Sequence, residues 1–193
     1  MKKYLVIGNP IEHSLSPKLH NYWIKDNNIE AIYEKQKINE DEIKDLILGI
    51  RKKKIHGLNV TVPYKKKIIH HLDELSFEAE KTQSVNTIYL KDNKVIGDNT
   101  DIGGFELGIK KLKFNIIGKK IFLLGAGGVV PSIIFALNRM KVSEIFISNR
   151  TKAKAEKLKN LFKNLKIVEW GDIPEFDMII NATSIGLNKD DKI

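Results

Sequence analysis

The chain contains no cysteine, which excludes a disulfide framework and any zinc or iron–sulfur site built on thiolates. Redox chemistry therefore has to use a bound organic cofactor. Arginine is scarce: only Arg51, Arg139 and Arg150 stand among 33 basic residues. Bidentate reading of guanine or of phosphate favours Arg over Lys. Lysines such as Lys152, Lys154, Lys157 and Lys159 follow one presumptive helix, where a solvated face accounts for them. The net charge of +9 thus points less to nucleic acid than to a small anionic substrate. No apolar run approaches the roughly 20 residues that span a bilayer. The opening Met-Lys-Lys-Tyr-Leu-Val-Ile run breaks at Gly8-Asn9-Pro10, too early for a secretory signal. A cytoplasmic protein with no membrane or nucleic-acid partner is expected. The histidines show no metal-ligand spacing, and the adjacent His70 and His71 point apart on a helix, so no metal is expected. What is present is ordinary: 193 residues, 42% hydrophobic and 30% charged, describe a folded chain of one or two domains.

Short β-rich runs alternate with amphipathic stretches. Residues 4–7 read as a strand turned by Gly8-Asn9-Pro10, and Ser16-Pro17 as a helix start with Ser at the cap and Pro first in the helix. A strand over 31–36 leads to a helix from Asn39, with Ile43, Leu46, Ile47 and Ile50 at helical spacing. Residues 57–62 form a third strand stopped by Pro63, and 68–81 read as helical. Runs 85–90 and 94–96 around Lys91-Asp92-Asn93 read as a hairpin at the sheet edge. This alternation implies an α/β fold with a mostly parallel sheet. The pattern restarts near residue 114. A strand over 119–124, a Gly-rich turn, a helix to Arg139 and a strand over 144–148 make a βαβ unit, extended by a helix over 152–161 and strands over 166–170 and 177–181. The division expected is 1–113 and 114–193, with a helix over 101–112 joining the halves. A doubly wound sheet carries a helix after its fourth strand and usually five or six strands. The second domain is therefore expected to be incomplete at its C-terminus, or covered by something else.

Gly125-Ala126-Gly127-Gly128 sits between strand and helix, where glycines let the turn tighten and the backbone approach a pyrophosphate at the helix N-terminus. The third position of the usual pattern is Val130, so a tight turn alone would also explain the glycines. A free ribose 2′-hydroxyl calls for an acidic residue about 20 residues further on. The next strand instead ends in Ser148-Asn149-Arg150-Thr151, donors that suit a 2′-phosphate and predict NADP rather than NAD; the same residues also suit a helix cap. Asn59-Val60-Thr61-Val62-Pro63-Tyr64-Lys65 puts Asn and Thr on one face of a strand end, where they and a lysine can converge on a hydroxylated or carboxylate ligand. Spacing does not choose among Lys65, Lys66 and Lys67. Gly97-Asp98-Asn99-Thr100-Asp101 equally reads as a turn and helix cap.

Taken together, seven segments in order resemble the NADP-dependent shikimate dehydrogenase family: Gly8 to Pro17, Asn59 to Lys65, Ser84-Val85-Asn86-Thr87, Gly97 to Asp101, Gly125 to Gly128, Asn149-Arg150-Thr151 and Asn181-Ala182-Thr183-Ser184-Ile185-Gly186. The resemblance implies a substrate domain followed by a Rossmann-like NADP domain, and reversible reduction of 3-dehydroshikimate to shikimate in aromatic amino acid biosynthesis. It implies that Ser14 and Ser16 hold the substrate carboxylate, that Asn59, Thr61, Asn86 and Asp101 bind ring hydroxyls, and that Lys65 is the catalytic lysine, paired with Asp101. It assigns Gly125, Ala126, Gly127, Gly128, Val129, Asn149, Arg150 and Thr151 to the cofactor, and Thr183 to the nicotinamide side. The chain departs from the family at Val129 and Val130, where small residues are common, and at Ile102, where glycine is frequent. The family pattern also continues with a substrate-binding glutamine and C-terminal helices. Quinate/shikimate dehydrogenase activity and a non-catalytic ligand-binding module stay open as alternatives. The expected assembly is a monomer or homodimer.

Overall fold

In the computed structural model, which describes residues 1–186, the alternation of runs folds into two units, Met1–Thr100 and a second beginning at Asp101. Residues 187–193, the last of the expected second domain, lie outside the described residues. In the first unit, β1 (Lys2–Gly8), α1 (Ser16–Asp26) and β2 (Ala31–Lys37) are followed by a single-turn helix at Glu40–Glu42 that runs into α2 (Ile43–Arg51). Then come β3 (Gly57–Val60), a 3-10 turn at Lys67–His71, β4 (Glu74–Leu75), α3 (Phe77–Thr82), β5 (Thr87–Lys91) and β6 (Lys94–Asp98). The sheet order is β2-β1-β3-β5-β6-β4, with β5 alone running against its neighbours.

Local chemistry explains the elements. The backbone N–H of Asn39 donates to Glu42 Oε2 at 2.7 Å as part of a capping box. The stripe Ile43, Leu46, Ile47 and Ile50 is buried against Leu5, Ile7, Leu58, Val60 and Ile88. Each such fully buried isoleucine contributes about 2 kcal/mol. The opposite sheet face carries Tyr4, Val6 and Tyr33, with Ile24 of α1 and Ile11 packed on it.

Several expectations need correction. Helix α1 begins one residue earlier than its Ser-Pro signal suggests: Ser16 is already helical, and its N–H donates to Ser14 Oγ at 3.4 Å. Strand β3 stops at Val60, because the carbonyl of Thr61 turns to accept from Tyr64 N–H at 2.9 Å. The helical reading over 68–81 is interrupted by β4, which pairs with β6 in parallel; Ser76 then caps α3, its Oγ accepting from Ala79 N–H. The hairpin is not at the sheet edge. Its loop is Asp92-Asn93, both at positive φ, and β4 lies outside it. The strand over 166–170 ends at Ile167.

The second unit contains α4 (Asp101–Lys111), β7 (Lys120–Leu124), α5 (Val130–Arg139), β8 (Glu144–Ser148), α6 (Lys152–Leu161), β9 (Leu165–Ile167) and β10 (Met178–Asn181). Its parallel sheet runs β10-β7-β8-β9. Ile121, Leu123, Ile145 and Ile147 are buried under α5 and α6 by Ile134, Leu137, Ala155 and Leu158. By packing, α4 groups with the second unit, where an ion pair from Glu106 to Arg139 Nε at 3.1 Å joins it to α5. Among the described residues no helix is long and apolar enough to cross a membrane, and no group of three His, Asp or Glu could hold a metal ion.

Candidate functional site

In the first unit the loop after β1 and the turn after β3 are locked together. Thr61 N–H donates to the Ile7 carbonyl at 2.9 Å, and Asn9 N–H to the Val62 carbonyl at 3.0 Å. Gly8 permits the approach, since a Cβ there would lie 2.6 Å from Thr61 Cγ2 and 3.0 Å from the Val62 carbonyl oxygen. The loop continues to Ser14, whose N–H donates to the Ile11 carbonyl, and to Ser16 at the start of α1. Its conformation is braced by Glu12. The backbone amides of Glu12 itself and of Ile11, and then Lys37 at 3.4 Å, hold that carboxyl below the usual range.

The lysine run, ambiguous in sequence, separates in the fold. Lys66 and Lys67 are exposed, and Lys67 pairs with Glu40, whereas Lys65 is half-buried and its carbonyl accepts from Val85 N–H at 2.8 Å. Beside it, the Asn86 carbonyl accepts from Val60 N–H at 2.8 Å. Those backbone bonds gather Asn59, Thr61, Lys65 and Asn86 along the ends of β3 and β5. Asn99 belongs to the scaffold: it is buried, and its Nδ2 donates to Thr82 Oγ1 at 3.0 Å and to the Ser84 carbonyl at 2.9 Å.

Tyr33 and His20, which the sequence does not single out, adjoin this group, as does Thr87 of the segment 84–87, to which the sequence assigns no role. The Tyr33 hydroxyl donates to Asn59 Oδ1 at 2.7 Å, and its ring stacks on His20 with centroids 4.1 Å apart. Burial pushes the Tyr33 phenol well up and the His20 imidazole down. Thr87 lies opposite Asn59 across the β3–β5 pairing and takes a 3.1 Å hydrogen bond from its Nδ2. A tyrosine in a strand reads as core, and no spacing rule pairs residue 59 with residue 87. Only the register does.

In the second unit β7 ends in Gly125 at φ +105°, a conformation that favours glycine. A Cβ there would lie 2.7 Å from the Ala182 carbonyl oxygen, whereas one on the exposed Gly127 would meet nothing nearer than 3.8 Å. The first glycine thus serves the close passage of β7 and β10, and the second leaves backbone open to a ligand. Ala126, Gly128 and Val129 complete the loop; Val129 stands before the first turn of α5, while Val130 is buried in the core. The two valines therefore part company, since only Val129 faces outward. Pro131, in that first turn, has no N–H to offer.

At the end of β8, Asn149 Nδ2 donates to the Thr151 carbonyl at 2.8 Å and Thr151 stands at the cap of α6. Arg150 is exposed, and its side chain makes no ion pair or hydrogen bond among the described residues. Lys152 is paired with Glu169. No acidic side chain occupies the strand end, so the donors present fit a phosphate on the ribose better than a free 2′-hydroxyl. Thr183 is held in the turn after β10: its hydroxyl donates to Asn181 Oδ1 at 2.7 Å and accepts from Ile185 N–H at 3.1 Å. Asp101 opens α4.

Comparison with known proteins agrees with both units. Residues 6–88 match the family model of the shikimate dehydrogenase substrate binding domain, and residues 106–187 match that of shikimate / quinate 5-dehydrogenase. The NADP(+) shikimate dehydrogenase of Pelagibacter ubique is 62% identical over 192 residues, covering 100% of this chain and 72% of that protein. The shikimate dehydrogenase of Aquifex aeolicus superposes with a TM-score of 0.91 at 38% identity, over 100% of this chain and 73% of its own. Shikimate 5-dehydrogenase of Thermus thermophilus, solved in complex with NADP(H) and shikimate, gives 0.87 at 31% identity, over 97% and 70%.

Proposed function

The chain belongs to the shikimate dehydrogenase family, and from that premise we propose which residues carry its reaction. The activity is the NADP-dependent, reversible reduction of 3-dehydroshikimate to shikimate, a step of aromatic amino acid biosynthesis. NADPH, when bound, supplies the hydride. The residues of the chain bind, orient and protonate. Ser14 and Ser16 hold the substrate carboxylate; Asn59, Thr61 and Asn86 take the ring hydroxyls, with Asp101. Lys65 holds a proton at Nζ for the oxygen that becomes the alcohol, and its positive charge stabilises the negative charge that develops there. Asp101 is the second catalytic residue, acting as its carboxylate partner.

For the cofactor, Gly125, Ala126, Gly127, Gly128 and Val129 line the pyrophosphate, Asn149, Arg150 and Thr151 take the 2′-phosphate, and Thr183 lies toward the nicotinamide. In this assignment residues 1–113 form the substrate domain and 114–193 the NADP domain. The observation that supports the substrate assignment most is the pair of backbone bonds from Val85 to Lys65 and from Val60 to Asn86, both 2.8 Å, which draw the half-buried lysine to the Asn and Thr side chains. A cytoplasmic location, where substrate and cofactor are soluble metabolites, and a monomeric or dimeric state complete the proposal.

The test is Lys65→Ala, followed by NADPH absorbance with shikimate as substrate. Removing a proton-handling group is expected to lower kcat about 10²- to 10⁴-fold while shikimate still binds. Wild-type kcat in that variant overturns the assignment. Parallel kinetics on shikimate and quinate measure the preference between the two.

A further inference from the structure

Asn59 and Asn86, the two carboxamides assigned to ring hydroxyls, are links of one directed hydrogen-bond chain. Tyr33 O–H donates to Asn59 Oδ1 at 2.7 Å; Asn59 Nδ2 donates to Thr87 Oγ1 at 3.1 Å; Thr87 O–H donates to Asn86 Oδ1 at 3.0 Å. Backbone groups fix the direction at each amide. Asn59 Nδ2 also faces the Asn86 carbonyl at 3.2 Å, which can only accept, and Asn86 Oδ1 faces Thr100 N–H at 2.9 Å, which can only donate. The far end closes on Thr100, whose Oγ1 accepts from Asn86 Nδ2 at 3.0 Å. At the head, burial keeps the Tyr33 phenol protonated and therefore a donor.

We propose that Thr87 is a positioning residue that couples Asn59 to Asn86 and holds both carboxamides toward the substrate in the polarity their backbone partners set. A hydroxyl has one proton. Thr87 accepts from one asparagine and gives its proton to the other, so neither amide can turn over without breaking the bond to its neighbour. Both amide hydrogens of Asn59 are engaged, by the Asn86 carbonyl and by Thr87. What Asn59 offers a ligand is then the remaining lone pair of Oδ1, which accepts from a hydroxyl and repels a carbonyl oxygen. The inference deepens the proposed function and rests on its assignment of Asn59 and Asn86 to ring hydroxyls.

The test compares Thr87→Val with Thr87→Ser in the chain as it stands. Valine keeps the volume and loses the hydroxyl; serine keeps the hydroxyl and loses the methyl. Thr87→Val is expected to raise KM and Kd for shikimate about tenfold, the loss of roughly one hydrogen bond, with kcat within about threefold. Thr87→Ser should stay within about twofold of wild type, and Tyr33→Phe should move KM in the same direction as valine. A purely packing role reverses the order, with serine the damaging change, and that result overturns the inference, as does wild-type affinity in Thr87→Val. Side-chain amide exchange of Asn59, followed by NMR without ligand, should quicken about tenfold in Thr87→Val and stay unchanged in Thr87→Ser. Unchanged exchange in the valine variant also overturns it. This measurement needs no ligand, so it decides the inference even where a wild-type chain that fails to bind shikimate refutes the proposed function.

Discussion

Replacing Gly125 and Gly127 by alanine, one at a time, should separate the two uses of the glycine loop. Gly125 stands at φ +105°, where an L side chain costs about 1–2 kcal/mol. The new Cβ would also lie 2.7 Å from the Ala182 carbonyl oxygen and 2.8 Å from its carbon, both backbone atoms that no rotamer change can move. Relief requires the ends of β7 and β10 to part, at the expense of the 2.8 Å bond from Ala182 N–H to the Leu124 carbonyl, worth about 1 kcal/mol. The total is about 3 kcal/mol, or about 6–12 °C in Tm for a chain of this size. At Gly127 the nearest atom would be 3.8 Å away, an ordinary contact, so Gly127→Ala should cost less than about 0.5 kcal/mol. Its Cβ instead faces the space proposed for the pyrophosphate, and NADP affinity should fall about tenfold. Urea unfolding and calorimetric NADP titration read the two effects separately. A loss below about 1 kcal/mol in Gly125→Ala, or equal losses in both variants, would refute the reasoning.

The nucleotide assignment predicts that Arg150→Ala weakens NADP about 10- to 100-fold, the range of a charge-assisted hydrogen bond to phosphate, and leaves NAD affinity alone; equal weakening of both, by fluorescence titration, counts against a 2′-phosphate contact. A stability test comes from Asp73. The Arg51 guanidinium, first through its hydrogen bonds at 2.7 Å, and then Val95 N–H, depress its carboxyl from 3.8 to about 2. The folded value lies below the unfolded one, so the stabilisation is present above the unfolded value and is lost as pH falls through about 2. Asp73→Asn, with nothing to titrate there, should show a flatter stability profile between about pH 4 and 2 in urea unfolding than wild type, and identical acid limbs would exclude the mechanism.

Much of this protein was legible from residue order because the information is local. The α2 stripe of Ile43, Leu46, Ile47 and Ile50 repeats with the helical period, and the strand β8 and helix α6 fall where the alternation of β-rich and amphipathic runs puts them. The cofactor signals are also local: a glycine turn between a strand and a helix, and an arginine where an acid would otherwise stand. Less legible were short elements held by their neighbours. Glu74–Leu75 is a strand only because β6 offers it an edge, and without that partner its sequence reads as helix. The hairpin's position inside the sheet is likewise a matter of which edge β4 covers.

The candidate substrate site divides along the same line. Residue order alone determined the chemical inventory: two serines after the first strand, Asn and Thr at alternate positions, a lysine run, and an asparagine and an aspartate further on. It left Lys65, Lys66 and Lys67 equivalent until the family resemblance chose among them. The tertiary structure distinguishes them by burial and partner, leaving Lys66 and Lys67 in solvent and holding the Lys65 backbone against Val85. Only the pairing of β3 with β5 brings Thr87 opposite Asn59, and only the packing of α1 on β2 lays His20 on Tyr33. Periodicity tells which face a side chain takes. Which distant side chain shares that face depends on strand register, a property of two segments together that neither contains alone.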